Sequence, residues 1–232
     1  MFVEHPLIRP NSIEARDYQR TLADICLTSS TLVVVPTGMG KTVVALLVIA
    51  DVLAKNKGKV LFLAPTKPLV EQHACFLRDQ IVGRSVAVMT GAVSPEEREV
   101  EWIQNDIIVS TPQVIANDLR NERISLRDVR LIIFDEAQTL PVTHLKPCVS
   151  AIAELVRRYG ATAVLCTATQ PALGKLFHKF APEMPIRELA PNPDGLFDFF
   201  RRVHFVREGP LSDEMVSQRL SEEEQALCVV NS

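Results

Sequence analysis

Apolar residues along this chain fall into two alternating textures. Short runs rich in β-branched residues, Thr31–Val35, Lys59–Leu63, Ser85–Met89, Asp106–Ser110, Val129–Phe134 and Thr162–Cys166, show no steady polar alternation. That pattern suits strands covered on both faces. Between them lie Lys41–Ala54, Lys67–Gln80, Pro95–Gln104, Pro112–Leu119 and Thr143–Arg158, each with the length or periodicity of a helix. Ser94-Pro95-Glu96-Glu97 adds a capping box with proline at the first helical position. Such alternation predicts a parallel sheet with helices on both faces. The expected fold is therefore α/β, a doubly wound parallel sheet with its core over roughly residues 12–190.

Past that core the texture changes. Pro182, Pro185, Pro191 and Pro193 mark a segment that reads as connecting loop. A strand-like Arg202–Val206, a polar helix-like Ser212–Glu224 and a strand-like Ala226–Val230 follow. The expected division is a first domain over 1–190, then a linker and the first elements of a truncated second α/β domain over 191–232.

Composition narrows the class. With 232 residues, 47% hydrophobic and 23% charged, the chain is neither disordered nor collagen-like. A net charge of −3 means that contact with nucleic acid needs a local basic face. The five cysteines are far apart and form no CxxC pair, so they read as small buried apolar residues in a reducing compartment. His73 and Cys75 would point to different faces of one helix, which disfavours a metal pair. The first residues lack the basic-then-apolar order of a leader. The longest apolar stretch, Val43–Ala54, contains Asp51 and falls short of the roughly 20 residues a membrane span needs. A cytoplasmic chain with no membrane contact is expected.

The chemistry begins at Val35-Pro36-Thr37-Gly38-Met39-Gly40-Lys41-Thr42, which follows an apolar run and opens an apolar helix. This is the context of a phosphate-binding loop, although Val35 stands where the general pattern has glycine. Gly38 and Gly40 let the backbone approach phosphate oxygens, and the helix N-terminus supplies positive potential. Lys41 suits the β- and γ-phosphates, and the Thr42 hydroxyl suits Mg²⁺. The alternative is a glycine-rich turn with no ligand.

A second signal is Leu131-Ile132-Ile133-Phe134-Asp135-Glu136-Ala137-Gln138, a buried strand ending in two acids. Paired carboxylates there are costly unless something uses their charge. Asp135 fits a Mg²⁺ ligand, and Glu136 fits the base that orients and deprotonates the attacking water. The plainer reading is a helix N-terminus dressed with acids. Ala64-Pro65-Thr66-Lys67-Pro68, Thr90-Gly91, Thr111-Pro112 and Thr167-Ala168-Thr169 also follow strand candidates. Ligands of open α/β sheets sit at the carboxyl ends of strands, so these residues belong to one rim. Arg120, Arg123, Arg127 and Arg130 either meet phosphates near that rim or dress a solvated loop. Phe197, Phe199 and Phe200 beside Arg201 and Arg202 invite base stacking, with packing as the commoner role, and Trp102 reads as a packing residue.

Together these motifs resemble the first of the two RecA-like lobes of a superfamily 2 DEAD/DEAH-like helicase. The resemblance implies ATP with Mg²⁺ on Thr37, Gly38, Met39, Gly40, Lys41 and Thr42, with Gln19 of Arg16-Asp17-Tyr18-Gln19 reading adenine. It implies that Thr66, Lys67, Gly91 and Thr111 grip nucleic acid, and that Asp135–Gln138 is motif II in a DEAQ version. Gln138, Thr167 and Thr169 would couple hydrolysis to strand movement. Residues from about 4 to 135 resemble archaeal Hef and its Fanconi-type relatives. Residues from about 134 to 232 are similar to the CRISPR-associated helicase–nuclease of type I systems.

The expectation is an ATP-dependent DNA helicase or translocase acting on single-stranded or branched DNA, in repair or CRISPR defence. Its second RecA-like lobe, in cis in the full-length protein, is missing from these residues, so ATP hydrolysis should be very weak. The alternatives are a non-catalytic, nucleotide-gated module that binds DNA or protein, and a GTPase. Asn56-Lys57-Gly58-Lys59 lacks the acid that guanine reading wants.

Overall fold

A computed structural model describes residues 2–36, 38–55, 58–137, 142–168, 178–179, 181–182, 184, 186–189, 209–222 and 228, with side chains excepted over 142–148. Thr37, Gln138, Thr169, the Phe197–Arg202 cluster, and the strand-like Arg202–Val206 lie outside them, as does Ala226–Val230 apart from Cys228. The chain divides into two compact units, Met1–Pro193 and Asp194–Ser232.

The first unit is a seven-stranded sheet in the order β3-β4-β2-β5-β6-β1-β7. The strands are β1 (Thr31–Val34), β2 (Lys59–Leu63), β3 (Val86–Met89), β4 (Ile107–Ser110), β5 (Val129–Phe134), β6 (Thr162–Thr167) and β7 (Arg187–Leu189). Every pairing is parallel. The expected doubly wound sheet is therefore present. Its central strands are almost wholly buried, which explains why they carry no polar alternation.

The helices are α1 (Asp17–Cys26), α2 (Lys41–Lys55), α3 (Lys67–Gln80), α4 (Pro95–Gln104), α5 (Pro112–Arg120) and α6 (Val142–Tyr159). Five of the six lie where the apolar pattern put them. In α2 the run Val44–Leu53 is buried throughout, so it reads as evenly apolar rather than amphipathic. Helix α4 starts on its capping box: Glu97 N donates to Ser94 Oγ at 3.2 Å and Ser94 N to Glu97 Oε2 at 3.1 Å. Trp102 is buried in the core, as its packing role requires.

Two elements depart from the expectation. Helix α1 was not foreseen, although Gln19, Leu22, Ala23 and Cys26 follow the helical period on its buried face. Arg16 offers no side-chain cap at its start, so the usual entry signal is missing. Strand β7 lies in what read as connecting loop. Only Leu189 of its three residues is buried, and the strand is held by backbone pairing to β1, which side-chain pattern cannot reveal. Of the cysteines, Cys26 and Cys166 are buried as expected, whereas Cys75 and Cys228 are exposed.

In the second unit the described residues form helix α7 (Asp213–Glu222), within the expected Ser212–Glu224. Met215 N donates to Ser212 Oγ at 3.4 Å in its first turn.

Candidate functional site

Parallel pairing brings the carboxyl ends of six neighbouring strands to one edge. Read across the sheet, the rim begins with Thr90-Gly91 after β3 and Thr111 after β4. Next come Ala64–Lys67 after β2, Asp135-Glu136 after β5, Thr167 at the end of β6 and the glycine-rich loop after β1. Backbone bonds lock these ends in step. Ala64 N donates to Ser110 O at 3.0 Å, Asp135 N to Leu63 O at 2.8 Å and Val35 N to Thr167 O at 3.0 Å. The motifs expected to hold nucleotide thus occupy one half of the rim and those expected to grip nucleic acid the other.

The glycine-rich loop turns through Gly38 (φ +87°) and Gly40 (φ +76°), left-handed conformations that favour glycine. A β-carbon on Gly40 would fall 2.3 Å from Gln19 Nε2, whereas Gly38 faces open space. Gln19 is buried and donates from Nε2 to Met39 O at 3.0 Å. Tyr18 Oη donates to the same carbonyl at 2.6 Å. Tyr18 and Gln19 therefore shape the loop itself, a role for Tyr18 that sequence reasoning missed. Beside them a cleft of about 350 Å³, within the size range of small-ligand sites, is lined by Phe2, Arg16, Asp17 and Gln19 among others.

Lys41 opens α2 almost wholly buried. Its Nζ donates to Val35 O at 3.4 Å and lies 3.6 Å from Glu136 Oε1. Strands β1 and β5 are separated by β6, so a lysine-length side chain is needed to cross that gap. Glu136 adopts φ +52°, rare for a residue with a β-carbon. Asp135 is largely buried, and His73 Nε2 lies 2.7 Å from its Oδ2. Beneath the acids, burial first and then the Asp135 carboxylate push the Cys166 thiol far above its usual range. Burial raises Cys26 to about 11, so both thiols stay protonated and inert.

This donor set fits a metal-bound triphosphate. The glycine-rich turn, a buried cation and two carboxylates lie at neighbouring strand ends, and Thr42 follows the cation in the first turn of α2. Among the described residues no cluster of three or more His, Cys, Asp or Glu is placed to cage a metal. A magnesium ion here would therefore lean on phosphate oxygens and water, with Thr42 and Asp135 as its protein partners. On the other half, Thr66, Lys67 and Gly91 are exposed and Thr111 is half-buried, so all four can be reached from solvent.

The four arginines stand elsewhere. Arg120 ends α5, Arg127 lies in the turn before β5 and Arg130 is the second residue of that strand. Those are the amino-terminal ends of the strands, opposite the rim. Arg123 instead pairs with buried Asp118 at 3.5 Å, and Arg130 Nη1 donates to Arg127 O at 2.8 Å. Among the described residues no helix is long and apolar enough to cross a membrane.

Comparison with known proteins agrees with this geometry. The profile of the DEAD/DEAH box helicase family matches residues 16–176. A protein of Methanocaldococcus jannaschii named as an ATP-dependent RNA helicase is 46% identical over 146 residues, 62% of this chain and 19% of that one. The ATP-dependent DNA helicase MPH1 of Vanderwaltozyma polyspora is 38% identical over 133 residues, 56% of this chain and 13% of that one. The crystal structure of the Pyrococcus furiosus Hef helicase domain superposes with a TM-score of 0.70 at 34% identity, covering 86% of this chain and 43% of that one. The chain thus spans about a fifth or less of these two relatives and under half of the solved domain. With the family profile covering most of its length and the RecA-like sheet in place, the chain belongs to the DEAD/DEAH box helicase family.

Proposed function

We propose that this chain is the ATP-binding first lobe of an ATP-dependent DNA helicase or translocase. Lys41 holds the β- and γ-phosphates, and Thr42 and Asp135 hold Mg²⁺, which when bound neutralises charge on the transferred phosphoryl group. Glu136 orients and deprotonates the attacking water, while Thr37 to Gly40 cradle the phosphates and Gln19 stands beside the adenine. Thr66, Lys67, Gly91 and Thr111 bear on the strand, single-stranded or at a branch, and Gln138, Thr167 and Thr169 relay hydrolysis to it. The observation that carries the reading is the 3.6 Å approach of Lys41 to Glu136 across β6. It sets the cation proposed to hold phosphate beside the acid proposed as base.

DNA rather than RNA is supported by the relative named as a DNA helicase; the Methanocaldococcus protein is named for RNA, so both strands belong in the test. Work in DNA repair or CRISPR defence, in the cytoplasm, completes the proposal. A second RecA-like lobe in cis would supply an arginine worth about 10³–10⁵ in rate, so turnover by these residues alone is slow. A fluorescent adenine nucleotide with magnesium should bind the parent chain, and Lys41→Ala should weaken that binding at least about tenfold, the loss of one charge-assisted contact. Glu136→Gln should bind as the parent does yet lose single-turnover cleavage, which single-stranded DNA stimulates more than RNA in the parent. Undiminished binding by Lys41→Ala overturns the assignment.

A further inference from the structure

The imidazole of His73 is 5% exposed and sits at the seam between the two halves of the rim. It comes from the second turn of α3, on the face where Val70, His73, Ala74 and Leu77 are buried. Its ring packs against Phe62 with centroids 4.7 Å apart, and its Nε2 meets Asp135 Oδ2 at 2.7 Å. An ionised carboxylate only accepts hydrogen bonds, so the proton of this contact belongs to Nε2. Asp135 is fixed a second time through its backbone, whose N–H donates to Leu63 O at 2.8 Å on the strand that leads into α3. Among the described residues the histidine meets one carboxylate at ion-pair distance, and that carboxylate is the acid that the nucleotide reading gives to magnesium.

We infer that His73 is a positioning residue for Asp135: its Nε2–H holds Oδ2 and leaves Oδ1 as the acceptor for the metal or its waters. The inference rests on the nucleotide reading of the site. Carboxylates that bind metals need such outer partners, because an unrestrained carboxylate samples rotamers that do not face the ion, and removing the partner typically weakens the metal about 10–100-fold. A leucine in place of His73 keeps the buried volume against Phe62 but removes the donor, and a glutamine keeps an N–H donor at comparable reach.

The test is a magnesium titration of fluorescent ADP binding, with the affinity in EDTA measured alongside and thermal melting as the check on folding. His73→Leu should keep the EDTA affinity and raise the magnesium half-saturation about 10–100-fold, while His73→Gln returns it toward the parent value. Unchanged magnesium half-saturation in His73→Leu overturns the role of His73 alone. No nucleotide binding by the parent overturns the reading of the site beneath it. Because the leucine variant could lose its fold, imidazole ¹⁵N spectra of the unmutated chain provide a second measurement. They should show His73 protonated on Nε2 in both the free and the magnesium–ADP states, and an Nε2 without a proton overturns the inference without recourse to any variant.

Discussion

At Gly40 a single hydrogen atom in place of a side chain decides the shape of the nucleotide loop. Its φ of +76° carries a steric cost of about 1–2 kcal/mol for any residue with a β-carbon. A β-carbon there would also press on Gln19 Nε2, the group that holds Met39 O. Gly38 has the same kind of backbone but nothing within 4 Å. Urea unfolding should therefore show Gly38→Ala losing about 1–2 kcal/mol and Gly40→Ala losing distinctly more; equal losses would count against the Gln19 contact. Both glycines, Lys41 and the acid pair could be read from sequence because their chemistry is local: a turn, a charge, a strand end. His73 could not. Its helical stripe announced burial, but its partner lies 62 positions later, and no local pattern points across such a distance.

Among the elements, α4 and α5 are joined by a buried ion pair. Arg98 Nε and Nη2 each donate to the Asp118 carboxylate at 2.6 Å, and Arg98 Nη1 donates to Val93 O at 2.5 Å. Asp118 is fully buried, with Arg123 3.5 Å away as its remaining cation. The pair ties the loop after Gly91 to the helix that Thr111 begins, fixing the spacing of two motifs proposed to meet nucleic acid. Removing one partner strands a buried charge, whereas removing both does not. Arg98→Met should cost about 3–5 kcal/mol in urea unfolding, and Arg98→Met with Asp118→Leu should cost less than the single change. A double variant as unstable as the sum of its singles would show the two side chains to be independent. The capping box of α4 was legible, since it is written in four consecutive residues. Helix α1 lacked such a cap, and β7 is made by backbone pairing to β1, so neither announced itself.

Across the whole molecule, the amino-terminal segment is fastened to α1 and α2 by a charge cluster around one buried acid. Asp51, the one acid inside the apolar helix α2, lies 3.2 Å from Arg20, 3.6 Å from His5 and 4.0 Å from Lys55. Burial lowers the pKa of His5, and although Asp51 pulls it upward, Arg20 and Lys55 push it down again. The folded chain then binds fewer protons than the unfolded one below the ordinary histidine value of 6.5. His5 thus contributes stability in full above that value, and it is lost as the pH falls through the lowered folded value. Denaturation midpoints between about pH 5 and 8 should fall on the acid side in the parent and flatten there in His5→Gln; an unchanged acid limb would remove His5 from the account. What the sequence determined by itself was most of the set of parts: six of the seven strands, five of the six helices of the first unit, and the residues proposed to bind phosphate, metal and strand. Those follow from local periodicity and from turn and charge chemistry, which need only near neighbours in the chain. The tertiary structure alone decided the order of strands, and with it the division of the rim into two halves. It also moved the four arginines to the far edge and brought His73 to Asp135. Strand order depends on which buried faces and backbone edges satisfy one another in space, and that choice has no counterpart in any short stretch of residues.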